Sequence, residues 1–283
     1  MALVFGLPVA APASAEGGSV LTVGGARPAT VVLPSAVTPA KPRAMVLLLH
    51  GYTGSGAQMR AYLGWESLAA ARDVVLVFAD GTLQGGDGPR FWNATDACCN
   101  FAGSAVDDAQ YLADLVDSVT AVTPIDRTRV YLAGHSNGAF MSFAAACTHA
   151  DVFAAVVAVA GATFAKAAEC KPSKPVSVLA VHGTADGTVS PAGGTIAAAY
   201  PSAAKTLQLW AKYDGCKTSA GMRRVRTLNL DRARAGNETV ESKYTCPTGI
   251  DVMYWRMQGV GHTPAFNASF GKAALDWMLR HRR

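Results

Sequence analysis

The sequence predicts an α/β domain with a doubly wound, mostly parallel sheet, and three observations carry that expectation. Five apolar runs, Met45–Leu49, Val74–Phe78, Val130–Leu132, Ala154–Val159 and Val176–Val181, are continuous rather than alternating and too short for helices. Strands buried on both faces read this way. Stretches with helical character separate the runs, the pattern of helices covering both faces of a parallel sheet. Glycine, histidine and serine gather directly after the runs, at the strand ends where open α/β sheets bind ligands.

Taken in order, residues 1–15 read as a leader. Residues 2–13 are almost wholly apolar or small, and Ala13-Ser14-Ala15 before Glu16 fits a small-residue cleavage site, although no Lys or Arg precedes the segment. Residues 16–283 are expected to form one domain. Ser19–Val23 and Thr30–Leu33 flank Gly24-Gly25-Ala26-Arg27-Pro28 as an opening hairpin. Helices are expected over 57–72, 105–122, 138–149, 203–213 and 270–281. The clearest is 105–122, where Val106, Leu112, Leu115, Val116 and Val119 recur near a 3.6-residue period and Pro124 follows.

Composition narrows the function. Half of the 283 residues are hydrophobic and 16% are charged, so the chain can bury a core and is not disordered. Lys and Arg number 25 against 20 Asp and Glu, a formal +5. The basic residues are scattered apart from Arg223, Arg224 and Arg226 and the terminal Arg280, Arg282 and Arg283. A nucleic-acid binder concentrates such charge on one face, so no nucleic-acid partner is expected. No apolar run approaches the roughly 18 residues of a membrane span; neither a membrane partner nor an oligomer is expected. The six cysteines, at 98, 99, 147, 170, 216 and 246, lack paired zinc-site spacing and suit an oxidising compartment. They allow 15 pairings, among which spacing does not choose. The pairing favoured here is Cys147–Cys170 and Cys216–Cys246, leaving Cys98–Cys99 as a vicinal bridge or one of its members as a buried thiol.

The most specific motif is Gly134-His135-Ser136-Asn137-Gly138, between an apolar run and an expected helix. It matches G-x-S-x-G in the strand–turn–helix setting of a nucleophile elbow. Side chains at the two glycines would collide in so sharp a turn, and the Ser136 hydroxyl would sit at a helix N-terminus that favours developing negative charge. A serine needs a base to accept its proton. Of six histidines, His281 lies in a tail expected to fray, His149 sits about three turns along the helix, and His135 should be turned aside by the elbow. His50 and His182 belong to strand-end turns. His262, in the glycine-flexed loop Gly259-Val260-Gly261-His262-Thr263-Pro264, is the best candidate. Asp186, after the Val176–Val181 run, is the candidate acid to orient it; Asp214, Asp231 and Asp251 lie in less suitable stretches. The order Ser, Asp, His is that of an α/β-hydrolase. An oxyanion formed by attack needs two backbone N–H donors. Asn137 is one candidate, and Tyr52 in His50-Gly51-Tyr52-Thr53-Gly54-Ser55-Gly56 is the other, its ring a candidate pocket wall. Trp92, after the flexible stretch Gly85–Pro89, either meets substrate or packs beneath the loop.

These residues together resemble the secreted polyhydroxybutyrate-depolymerase and feruloyl-esterase group of the α/β-hydrolases. The resemblance spans most of residues 16–283. It includes the stretch 49–56, Phe78–Thr82, Trp92-Asn93 leading to Cys98-Cys99, and Val106-Asp107-Asp108. It continues through the elbow, Phe153–Gly161, His182–Asp186, Trp210, Cys216, Cys246 and Gly261-His262-Thr263. It implies secretion, a Ser136–Asp186–His262 triad, no metal or organic cofactor, and hydrolysis of carboxylic esters through an acyl-enzyme. The expected substrate is a polyester of the poly-3-hydroxybutyrate kind. Plant cell-wall feruloyl or acetyl-xylan esters are the alternative, and a serine peptidase or a non-catalytic binding protein on the same fold are further ones. Members often carry Trp after the His-Thr pair; here Pro264-Ala265-Phe266 follows, which makes Phe266 the candidate aromatic wall.

Overall fold

The apolar runs become the middle of one ten-stranded sheet. The computed structural model describes residues 18–34 and 41–283, so the leader expected at 1–15 lies outside the described residues. The strands are β1 (Val20–Val23), β2 (Ala29–Val32), β3 (Arg43–Leu49), β4 (Val74–Ala79), β5 (Ile125–His135), β6 (Ala155–Val159), β7 (Ser177–Gly183), β8 (Arg223–Leu228), β9 (Thr239–Lys243) and β10 (Val252–Met257). Their order in the sheet is β1-β2-β4-β3-β5-β6-β7-β10-β9-β8. From β4 to β10 every neighbouring pair is parallel. The pairs at both margins are antiparallel. The expected opening hairpin is β1–β2, with Val23 opposite Ala29.

The helices are α1 (Gly56–Leu63), α2 (Glu66–Ala70), α3 (Asp108–Val122), α4 (Asn137–Thr148), α5 (Ala203–Tyr213) and α6 (Ala268–Met278). Strand side chains alternate between faces, so each central strand feeds two cores. Met45, Leu47 and Leu49 of β3 pack with Leu112, Val116, Phe143 and Trp210 of α3, α4 and α5. Val46 and Leu48 face Met59, Ala69, Phe270 and Trp277 of α1, α2 and α6. Every residue of β3, β4, β6 and β7 is buried, which is why these strands carry no alternation in sequence. The result is the α/β-hydrolase fold.

Several expectations need correction. The helix expected over 57–72 is two helices, because Gly64 takes a left-handed conformation (φ 59°) and ends α1. The Val130–Leu132 run marks only the buried centre of β5, whose first half carries the Asp126–Arg129 ion pair at the surface. No apolar run in the sequence predicts strands β8 and β9. Strand β8 is largely exposed at the sheet edge, and β9 buries Glu241, which accepts from Arg226 and the Trp255 indole. His281 is not in a frayed tail: it is 4% exposed, packs tilted against the Trp277 ring and lies 3.3 Å from Asp251 Oδ2. The structure holds the disulfides Cys98–Cys99, Cys147–Cys170 and Cys216–Cys246. Among the described residues no helix is long and apolar enough to cross a membrane.

Candidate active site

Four strand ends meet on one side of the parallel sheet. Strand β5 delivers Ser136, β7 leads to Asp186, β10 leads to His262, and β3 opens the loop that begins at His50. Ser136 sits between β5 and α4 with φ 55° and ψ −121°, a backbone conformation that L residues rarely adopt. The elbow is tight enough that a Cβ on Gly134 would run into the backbone of Gly138. One on Gly138 would run into the carbonyls of Leu49 and His50. Ser136 stands at the N-cap of α4, where a serine normally accepts from a first-turn amide. Its side chain makes no such bond. The turn instead aims the hydroxyl at His262, whose Nε2 lies 2.9 Å from Ser136 Oγ.

The other imidazole nitrogen, His262 Nδ1, lies 2.8 Å from Asp186 Oδ2. An ionised Asp186 only accepts, so Nδ1 carries the proton and Nε2 offers its lone pair to the serine hydroxyl. The carboxylate is well occupied. Oδ1 accepts the N–H groups of Thr188 and Val189, both at 2.9 Å, and Oδ2 faces His182 Nε2 at 3.2 Å as well as His262. Burial alone would raise the Asp186 carboxyl. The hydrogen bonds from His182, His262 and Val189 outweigh it and hold the group well below the usual carboxylate range. The three side chains from separate loops thus form one chain of hydrogen bonds, an array able to draw the proton from a serine hydroxyl.

Beside Ser136 opens a cavity of about 570 Å³ whose wall includes Tyr52, Met59, Tyr62, His135, Thr188 and Thr263. Among the described residues lining it, none is Asp, Glu, Lys or Arg. Tyr52 lies in the wall, its ring edge-on to Phe101 at 5.3 Å. Asn137 N–H is the first amide of α4 and has no carbonyl within the helix to receive it.

Two expected substrate contacts are corrected. Trp92 is fully buried and packs in the core beneath the loop; its indole N–H is spent on the carbonyl of His50 at 3.0 Å. Phe266 does not line the cavity. Its ring stacks on Phe270 with centroids 3.4 Å apart and lies behind Tyr62. His135 is not turned away from the site as expected. It lines the cavity, and its Nε2 lies 2.9 Å from the His262 carbonyl, while burial pushes its imidazole down to about 4, so it stays neutral and donates there. Sequence reading also passed over His50 and His182. His50 Nε2 accepts from Gly81 N–H at 2.9 Å, so its Nδ1–H donates to Gly51 O at 2.7 Å, and burial holds the ring neutral. The available signal was the shared position: each of these histidines is one of the last two residues of a central strand or directly follows one.

Residues 21–238, more than half of the chain, match the family model described as "Putative esterase". "Putative esterase NocK" of Nocardia uniformis subsp. tsuyamanensis is 29% identical over 236 residues, 78% of this chain and 65% of that protein. "Feruloyl esterase B" of Piromyces equi is 29% identical over 245 residues, 83% of this chain but 42% of the longer relative. The chain therefore spans less than two thirds of either protein. A solved acetyl xylan esterase from Aspergillus awamori superposes with a TM-score of 0.66 at 17% identity, covering 93% of this chain and 100% of that one. That likeness speaks to the α/β-hydrolase fold alone. The match to the family model, along a chain folded in this way, places the protein in the esterase family.

Proposed function

We propose that the protein is a serine esterase that hydrolyses neutral carboxylic esters through an acyl-enzyme. The observation that carries the reading is the unbroken line Ser136 Oγ, His262 Nε2, His262 Nδ1, Asp186 Oδ2, with steps of 2.9 and 2.8 Å. In the first half-reaction Ser136 Oγ attacks the ester carbonyl carbon while His262 Nε2 takes the hydroxyl proton. The tetrahedral oxyanion accepts from the backbone N–H groups of Asn137 and Tyr52. The intermediate collapses as the C–O bond to the alcohol breaks and His262 returns the proton to the leaving oxygen. Water then attacks the acyl-serine with His262 again as base, releasing the acid and restoring Ser136. Asp186 holds the imidazole in the tautomer that both steps need.

The substrate expected from the motifs is a polyester of 3-hydroxyacid units. Similarity to a feruloyl esterase along 83% of the chain favours a second reading, esters of plant cell walls. A cavity wall without charged side chains suits the neutral esters of either class. Secretion belongs to the same proposal and is supported by the three disulfides. Ser136→Ala should remove nearly all turnover of a chromogenic short-chain ester, and retention of most activity would end the reading. Release of 3-hydroxybutyrate from polymer, compared with ferulate from methyl ferulate, separates the two substrate classes.

A further inference from the structure

Trp92 reads from sequence as a candidate substrate contact, yet it is buried in the core and sits between both halves of the proposed oxyanion site. Its indole N–H donates to the carbonyl of His50, 3.0 Å away, at the start of the loop that bears Tyr52. One residue past Tyr52, the Thr53 N–H donates to the carbonyl of Arg90 at 2.8 Å. The segment 90–92 therefore grips the loop on both sides of Tyr52. At the other end of the same residue, Trp92 N–H donates to Asn137 Oδ1 at 2.7 Å, and Asn137 Nδ2 donates back to Trp92 O at 3.0 Å. Asn137 is fully buried, so this reciprocal pair is shielded from water. Next along the chain, Asn93 N–H is tied to the buried carboxylate of Asp108 at 2.7 Å. The strut is thus anchored in α3 rather than floating with the loop.

We infer that Trp92 is a positioning residue that sets the spacing of the two oxyanion donors, its indole fixing the Tyr52 loop and its backbone fixing Asn137. It does not touch substrate. The inference rests on the serine-esterase reading, because spacing between two amides matters only if both serve one oxygen. Such donors act by standing in place before the charge develops, and a displacement of about 1 Å can cost up to about a hundredfold in rate. Losing the strut should therefore lower kcat and leave KM little changed, since the tetrahedral species, more than the bound ester, needs both donors.

Trp92→Phe tests this, because it keeps an aromatic ring and both backbone bonds to Asn137 while deleting the indole N–H, along with part of the indole volume that the control below loses equally. Trp210→Phe is the matched control: Trp210 is equally buried, in the same core, and its indole N–H has no hydrogen-bond partner. The readouts are kcat and KM on a short-chain chromogenic ester, and the affinity of phenylboronic acid, which adds to a serine hydroxyl as a tetrahedral anion. The expected result is a fall in kcat of about tenfold, a matching loss of boronate affinity, KM within twofold, and neither change in Trp210→Phe. Unchanged kcat and boronate affinity in Trp92→Phe overturn the inference, as does a rise in KM at constant kcat, which would mark a substrate contact. If Trp92→Phe does not fold, Asn137→Ala cuts the other end while keeping the backbone N–H. The same paired loss is expected there, and its absence is equally decisive. Ser136→Ala, run alongside, separates the two failures: if it stays active the esterase reading itself is wrong, and if it is dead only the strut is in question.

Discussion

At the residue scale the site depends on which atom holds each proton. Asp186 receives hydrogen bonds at both oxygens, and its folded carboxyl titrates far below its unfolded value. A group shifted in that direction stabilises the fold at every pH above its unfolded value and loses that contribution only as pH falls through the folded one. Across the neutral range it is therefore a fixed negative charge. With Asp186 held ionised, kcat/KM should fall on the acid side with a slope no steeper than one. A slope of two in a pH–rate profile above pH 5 would contradict this. Asp186→Asn replaces one acceptor oxygen with an N–H donor, which must face either imidazole or the amides of Thr188 and Val189. The two amides keep the oxygen, so the N–H meets the imidazole and drives it to the wrong tautomer, and kcat should drop by about 10⁴, the scale of that change in other triads. Steady-state kinetics at saturating ester measure it.

At the element scale the helices differ in how their first turns are closed. Helix α3 is capped by Asp107, which accepts from Gln110 N–H at 2.9 Å, and α1, α5 and α6 are capped by Ser55, Ser202 and Asn267. Helix α4 alone begins at a serine whose hydroxyl is turned elsewhere. Its stability comes instead from burial, since nearly the whole helix lies in the core. Asp107→Ala should therefore cost about 1 kcal/mol, lowering Tm by about 2–4 °C with kcat unchanged, as calorimetry beside an ester assay would register. Gly138→Ala should behave in the opposite way. Its Cβ meets the backbone of Leu49 and His50, so β3 or the elbow must shift, and activity should be lost even in protein that remains folded by circular dichroism.

At the scale of the whole molecule, two cores separated by the sheet hold the strand ends in register, and one buried acid works against that stability. Asp214, at the C-terminal end of α5, is 2% exposed. Burial pushes its carboxyl up to about 7, only partly opposed by the Val176 N–H that donates to Oδ1. The unfolded carboxyl ionises near its ordinary value of 3.8, so the unfolded state gives up this proton first. Stability on account of Asp214 is full below about pH 4 and declines as pH rises through 7, by on the order of a few kcal/mol. Asp214→Asn should remove that slope, so its Tm should gain on the wild type between pH 5 and pH 8. Parallel melting curves across that range would refute the assignment.

The fold class was legible in the sequence, as were the three side chains that the structure brings into one hydrogen-bonded line. Buried parallel strands betray themselves by unbroken apolar runs, and the elbow betrays itself by two glycines that sterics alone require. Strand β8 was not legible, because an edge strand carrying three arginines has no apolar signature. Nor was the end of α1, where left-handed Gly64 breaks a continuous helical pattern. The roles of Trp92, His50, His135 and His182 belong to tertiary structure alone. An indole N–H or an imidazole takes its meaning from the carbonyl or carboxylate it meets, and here those partners come mostly from other loops, up to 127 residues away in the case of His135 and His262. Residue type and spacing along the chain determine which groups are available; packing of distant segments decides which of them touch, and a hydrogen bond acts over a few ångströms only.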